Sequence, residues 1–388
     1  MLDTITRSPL YSGHLQIIYG VLRPEVSRIS VNSRRKEIPA MKLTVTGENL
    51  IERLLIAFGV VPVTLVDTHM SFMRARAIMV GVKLGIFEAL ASGALTAADV
   101  TSRCGTSLAG TEKLMNALVG CGYLRFARGG YELSPVARKW ATSDSPHSLR
   151  DKVLFEFIEW TLVENFEDFV RTGQPLDIHS RASEEEWGLY QRGMRALSGL
   201  VAPEIVRRTP MPGGASAMLD IGGSHGYISV AMCRRYANLR AEILDLPAAV
   251  AHAAPILAKE RIGDRVVHRA GDALTDDFGT NQWDLVFVSQ LLHHFNETTN
   301  REFARRAARA LKPGGVFVIL ELTRPSSPQD VGQVGALLDL YFALTSQSGT
   351  WSVEEMSVWQ REAGLASQKP IRLRTMPGAV EVVAVKPR

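Results

Sequence analysis

The nine residues Met218-Leu219-Asp220-Ile221-Gly222-Gly223-Ser224-His225-Gly226 restrict this chain more than any other feature. An apolar strand runs into a glycine-rich turn that opens a helix, and glycine permits backbone angles and close ligand approach that a Cβ forbids. From Ala217 onward the periodicity predicts strands at about 217–222, 241–245, 266–270, 283–289 and 316–322, then an antiparallel pair near 370–375 and 379–385. Helices fill the gaps at roughly 225–238, 248–261, 298–311 and 352–363. Such alternation builds an α/β parallel sheet covered on both faces, with ligands at the carboxyl ends of its strands. Pro313-Gly314-Gly315 predicts a break just before the fifth strand.

The turn narrows the ligand. The dinucleotide fingerprint Gly-x-Gly-x-x-Gly fits poorly because its third position is Ser224, and no Gly-Lys-Ser/Thr follows to make a phosphate loop. A ribose-bearing ligand calls for a carboxylate at the end of the second strand, where it can accept both hydroxyl protons. Asp245, in Ile243-Leu244-Asp245-Leu246-Pro247, stands there, 19 residues past Gly226. Gly271-Asp272 follows the third strand and offers a second carboxylate to an exocyclic amine. Either acid alone could simply end a strand; in order at consecutive strand ends they point to one nucleoside-bearing ligand.

The N-terminal half reads differently. Phe72, Ala75, Ile78 and Met79, then Leu84, Ile86, Phe87 and Leu90, recur at helical spacing. Thr96 predicts an N-cap for a helix through Val100, and Ser107 one for a helix to about Val119. After Gly122 the period falls to two, through Tyr123-Leu124-Arg125-Phe126, Arg128-Gly129-Gly130 and Tyr131-Glu132-Leu133: a hairpin behind a helix-turn-helix, hence a winged helix. A DNA-reading helix should carry several cations. The helix at 107–120 carries Lys113 alone, beside Glu112, so a dimerising or structural role is expected and nucleic acid is not. Between Arg150 and Thr209, large side chains such as Phe155, Trp160, Trp187, Tyr190 and Met194 suit either a core or the wall of an apolar pocket.

Composition excludes other classes. Cys104, Cys121 and Cys233 are too few and scattered for a disulfide framework or a zinc site, and fit a reducing, cytoplasmic setting. No apolar run reaches the roughly 20 residues of a membrane span; the stretch Leu54–Val66 is interrupted by Pro62 and stopped by Asp67. Of the net charge of +4, +3 lies in residues 1–40, where Arg7, Arg23, Arg28, Arg34, Arg35 and Lys36 face Asp3, Glu25 and Glu37. A poorly ordered basic extension over 1–45 is expected, with no membrane or nucleic-acid partner.

Taken together, the winged helix, the Leu219–Gly226 loop, Asp245-Leu246-Pro247, Ala270-Gly271-Asp272, Leu292-His293 and Lys312-Pro313-Gly314-Gly315 resemble the class I S-adenosylmethionine-dependent methyltransferases. From about residue 65 to 388 the chain is similar to the small-molecule O-methyltransferases typified by plant caffeate and flavonoid enzymes and bacterial natural-product enzymes. The resemblance implies a Rossmann-like seven-stranded sheet and a homodimer. It also implies a winged-helix dimerisation domain at 46–145, a helical linker and acceptor-pocket region at 146–210, and an S-adenosylmethionine-binding catalytic domain at 211–388. Gly222, Gly223 and Gly226 would lie against the methionine moiety, Asp245 would take the ribose hydroxyls and Asp272 would face adenine. Asp220, Leu246, Gly271, Ala273 and Ser289 complete the implied cofactor-binding set.

In the plant-like enzymes a histidine at the position of His293 is the general base, and an acid at the position of Glu321 flanks it. A phenol with a pKa of about 10 is mostly protonated at neutral pH, and imidazole, at about 6.5, can take its proton. A carboxylate on the other ring nitrogen fixes the tautomer. His225 and His294 read as structural. The chain departs from the family's pattern in four places. Gly349-Thr350-Trp351 stands where a second flanking acid is expected, and Glu354-Glu355 fall too late; Ser289, His294-Phe295 and Ala273 replace a frequent lysine, an aspartate-tryptophan pair and a bulky residue. These leave fold and cofactor in place and open the acceptor's identity. Tyr341, Phe342 and Trp351, with Trp160 and Met194, are expected to enclose a flat, hydroxylated aromatic or polyketide-like acceptor. No metal is expected, since adjacent His293 and His294 do not converge on one ion. Two alternatives stay open: a carbon or nitrogen acceptor aligned without a histidine base, and a catalytically silent winged-helix regulator.

Overall fold

Local signals set the helices of the N-terminal half. Thr96 closes a capping box with Asp99 and opens Ala97–Cys104, a turn longer than expected, which Gly105 ends in the left-handed conformation (φ +64°). Ser107 accepts from the Gly110 N–H and opens Leu108–Gly120. Strands Leu124–Ala127 and Gly130–Leu133 pair through Arg128 and Gly129, both at positive φ, a geometry whose twist matches that of the strands. Val100, Met115, Leu118, Leu124 and Leu133 are buried beneath this winged helix. The structure, a computed structural model, describes residues 16–19, 43–47, 49–176, 183–324, 327 and 332–388. The chain divides into two compact units, 1–142 and 143–388. Most of the expected basic extension lies outside the described residues; Gln16–Tyr19 and Leu43–Thr46 pair as antiparallel strands.

The second unit is built on one sheet. Its strands are β1 (Ala217–Ile221), β2 (Arg240–Asp245), β3 (Val266–Ala270), β4 (Trp283–Ser289), β5 (Leu311–Leu322), β6 (Ala366–Ser367), β7 (Ile371–Arg372) and β8 (Ala379–Val385). Their order is β6-β8-β5-β4-β1-β2-β3, with β7 also paired to β8. The first five are mutually parallel and β8 runs antiparallel to β5. The two-residue β6 and β7 share the edge place expected for one strand, so eight strands fill a seven-position sheet. Pro313-Gly314-Gly315 falls within β5 rather than before it. Leu311 pairs with Trp283 and Val316 with Leu285, so the residues between them bulge out, with Gly314 at φ +81°. Within residues 146–210, expected as a helical linker and acceptor-pocket region, the helices Arg150–Val163, Phe166–Thr172 and Glu184–Arg208 belong to this second unit.

Alternation along the strands divides the core. Met218, Ile243, Leu285, Phe287 and Val318 face Ile205, Ile228 and Met232, while Leu219, Leu244, Val286, Phe317 and Ile319 face Phe303, Ala307, Met356 and Trp359. Each large side chain so buried contributes about 1.5–3 kcal/mol. Because β1 has β2 on one side and β4 on the other, the crossover direction reverses there, and a crevice forms at the carboxyl ends.

Among the polar groups buried in this core is one carboxyl that titrates far from its ordinary value. Glu381 on β8 is fully buried, and its Oε1 accepts from the Thr209 hydroxyl at 2.8 Å. Burial pushes its carboxyl up to about 7. The native state therefore holds a proton that the unfolded chain releases above its ordinary value, so stability present at low pH is lost as pH rises towards 7. Glu381→Gln should remove about 3 kcal/mol of that loss between pH 4.5 and 7, read as a flatter profile of denaturation midpoint against pH. An unchanged slope would show that Glu381 does not titrate there.

Candidate active site

The turn after β1 is shaped by close approaches. A Cβ on Gly226 (φ +75°) would lie 2.5 Å from Ile243 Cδ1, and one on Gly223 would lie 2.5 Å from Asp220 Cγ. Asp220 is itself buried, accepts from the Ser229 hydroxyl at 2.6 Å and is raised to about 7 by burial, so it holds the turn from beneath. Ser224 takes φ +54° without being glycine. Its N–H donates to Asp245 Oδ2 at 2.7 Å, its carbonyl accepts from His268 Nε2, and its hydroxyl donates to the buried Gln191 of helix Glu184–Arg208. Three hydrogen bonds thus offset the strain of that conformation. His225 stands beside it, lowered to about 3 by burial; its Nδ1 accepts from the Tyr227 N–H and its Nε2–H donates to Ser198 Oγ at 3.1 Å. Burial keeps this imidazole neutral, and both its nitrogens are engaged within the protein.

Asp245 ends β2. Its Oδ2 takes the Ser224 N–H and its Oδ1 the Leu246 N–H at 2.8 Å, while burial holds its pKa above the usual range. Each oxygen keeps a lone pair, so the carboxylate can still accept both protons of a vicinal diol. This pair of acceptor oxygens therefore fits a ribose. Leu246 beside it is 42% exposed, an apolar face next to the acid. Asp272 is half-buried, and its Oδ1 accepts from the Leu274 N–H at 2.8 Å. A Cβ on Gly271 would lie 2.0 Å from Asp276 Oδ2, so that carboxylate would have to move to admit one. Ala273 and Ser289 lie half-buried, after β3 and at the end of β4.

His293 sits in the short turn after β4, 2% exposed, with Nδ1 at 3.0 Å from Glu321 Oε2. Glu321, on β5 and 1% exposed, receives the Leu291 and Leu292 N–H groups on Oε1 at 2.8 and 2.7 Å. A carboxylate held by two amides accepts from Nδ1–H, which leaves Nε2 as the basic nitrogen. The His293 ring stacks on Phe342 at 4.2 Å and 27° and packs against His294 at 4.2 Å.

Of the residues expected to line an acceptor, Phe342 meets His293 directly. Tyr341 donates to Glu159 Oε1 at 3.4 Å, and Trp160 and Met194 are half-buried on their helices. Trp351 is 7% exposed, packs edge-on to Trp359 at 5.0 Å and donates from Nε1 to the Leu292 carbonyl at 3.0 Å, so its indole is part of the core behind the turn that carries His293. Sequence reasoning missed Glu159, which Lys152 pairs with, whereas Tyr190, expected in a core or a pocket wall, has a phenol that burial raises to about 12. It also missed Asp339, whose Oδ1 accepts from the Thr350 N–H at 2.8 Å. The three-residue step from Asp339 to Phe342 on one helix was the available signal.

The family model described as the O-methyltransferase domain matches residues 161–365, and that described as the O-methyltransferase dimerisation domain matches 66–143. A 3-hydroxy-5-methyl-1-naphthoate 3-O-methyltransferase from Streptomyces sahachiroi is 26% identical over 336 residues, covering 83% of this chain and 94% of its own. The N,N-dimethyltransferase OxyT of Streptomyces rimosus is 25% identical, covering 84% and 96%. Among solved structures, human N-acetylserotonin methyltransferase in complex with SAM superposes with a TM-score of 0.74 at 19% identity, covering 88% of this chain and 99% of that one.

Proposed function

This chain belongs to the O-methyltransferase family, whose domain model spans residues 161–365, and from that premise we propose that it methylates a hydroxyl of a small aromatic or polyketide-like metabolite with His293 as general base. The observation that carries this reading is the buried His293–Glu321 pair at the same carboxyl edge of the sheet as Asp245. S-adenosylmethionine, when bound, supplies an electrophilic methyl on a sulfonium. Asp245 would accept from its ribose hydroxyls, Asp272 would accept from its exocyclic amine, and the Gly222–Gly226 backbone would hold its methionine portion. Glu321 keeps the proton on Nδ1, so Nε2 takes the acceptor's hydroxyl proton, and the same carboxylate stabilises the imidazolium that results. Phe342 and Tyr341 help to exclude water.

Incubation with labelled S-adenosylmethionine and a panel of naphthols, catechols and aliphatic alcohols tests this. Labelled aryl ethers are the expected product, and label bound only to nitrogen or carbon overturns it. A nitrogen acceptor is the second reading, favoured by the relative named as an N,N-dimethyltransferase.

The protein is also proposed to act as a homodimer. Helix Leu50–Ala57 buries none of its residues, and Leu50, Ile51 and Phe58 expose 71, 70 and 78% of their surface. An apolar face of this kind calls for cover. The double variant Ile51→Glu with Phe58→Glu should scatter light as a monomer, and a persistent dimer mass would locate the interface elsewhere.

A further inference from the structure

Gly349-Thr350-Trp351, standing where the family resemblance implies a second acid beside the base, is firmly held. Asp339 Oδ1 takes the Thr350 N–H at 2.8 Å and its hydroxyl as well. Arg324 donates to the Thr350 carbonyl at 2.9 Å, pairs with Glu355 and lies over the Trp351 ring at 5.2 Å. From this cage the Trp351 Nε1–H reaches the Leu292 carbonyl at 3.0 Å. Asn300 Nδ2 and the Phe295 N–H donate to the same oxygen at 2.9 and 3.2 Å. The N–H of Leu292 goes to Glu321 Oε1, whose other oxygen faces His293 Nδ1.

We propose that Trp351 is a positioning residue for His293. Its indole N–H, acting through the Leu292 carbonyl, holds the turn that carries the imidazole so that Nδ1–H stays on Glu321 and Nε2 stays free. The Leu292 residue is pinned at both polar groups, by neutral donors on its carbonyl and by the carboxylate on its amide. Loss of the indole donor lets the turn rotate, and rotation draws the Leu292 N–H and the imidazole away from Glu321 together. No second carboxylate is then needed to orient the base. The inference deepens the reading of His293 as base, but its test needs no acceptor.

Two substitutions separate positioning from packing. Trp351→Phe keeps an apolar ring without a donor. Trp351→His keeps an N–H at the corresponding place in its five-membered ring but loses the benzo half. The readout is the imidazole nitrogen spectrum of His293, assigned by its disappearance in His293→Gln and recorded about two units above imidazole's ordinary pKa. Thermal melts and S-adenosylhomocysteine titrations run alongside. The wild type should show the Nδ1–H tautomer. Trp351→Phe should raise the Nε2–H population several-fold, and Trp351→His should stay near wild type despite a larger drop in Tm. If Trp351→Phe matches wild type, or if the tautomer change in the two variants follows their Tm losses, the proposal is overturned. Should Trp351→Phe not fold, Trp351→Leu, equally without a donor, takes its place: a raised Nε2–H population supports the role and a wild-type tautomer refutes it. Retention of methyl transfer by His293→Gln would refute the base assignment and leave this test unaffected.

Discussion

Replacing His293 with alanine should slow methyl transfer by about 10²- to 10⁴-fold, with S-adenosylhomocysteine affinity held within about twofold. The effect falls on turnover because the imidazole takes a proton only as the bond to the methyl forms. Its place in the cofactor's binding is minor, since Asp245 and the glycine turn lie on other strands. Glu321→Gln should approach the same loss for a more specific reason. The amide oxygen can still accept the Leu291 and Leu292 N–H groups that Oε1 now receives. Its NH₂ then faces Nδ1, which must become an acceptor, so the ring proton moves to Nε2 and the base is blocked. A single-turnover loss below about tenfold for His293→Ala would make alignment, not proton abstraction, the main source of rate.

Asp245→Asn should weaken S-adenosylhomocysteine binding by about 10²-fold, because hydrogen bonds to a charged group are worth about 1.5–3 kcal/mol each and an amide cannot accept on both arms. The two backbone donors that now orient the acid, from Ser224 and Leu246, make the geometry intolerant of the exchange. Calorimetry reads the affinity directly. In parallel, the rise in Tm that ligand produces in the wild type should shrink as mass action requires. Undiminished affinity would remove Asp245 from the ribose.

Much of the site was legible because its signals are local. Period-two apolar runs, the glycine turn at Gly222–Gly226 and the acids at the ends of β2 and β3 each occupy a few adjacent residues, and parallel register then brings them into one row. Ile221 pairs with Leu244 and with Val288, and Asp245 with Ala270. The His293–Glu321 pair was foreseen from the family resemblance alone. Contacts across long separations were not legible. Ser224 meets Gln191 across 33 residues, Trp351 meets Leu292 across 59, and Tyr341 meets Glu159 across 182. In each case helical phase and the packing of whole elements choose the partner.

Trp351 shows the difference most clearly. As a sequence it is a large aromatic near an acceptor region, equally suited to stack on a ligand or to fill a core. Its surroundings decide, because an indole N–H in an apolar interior must find an acceptor and the Leu292 carbonyl is within reach. The amino-acid sequence by itself determined the alternating architecture, the glycine turn and the order of acids along the sheet edge, since these follow from backbone sterics and short-range periodicity. Only the tertiary structure decided which polar groups share a proton and which aromatic rings face inward, since those outcomes depend on burial and on distances between residues far apart in the chain.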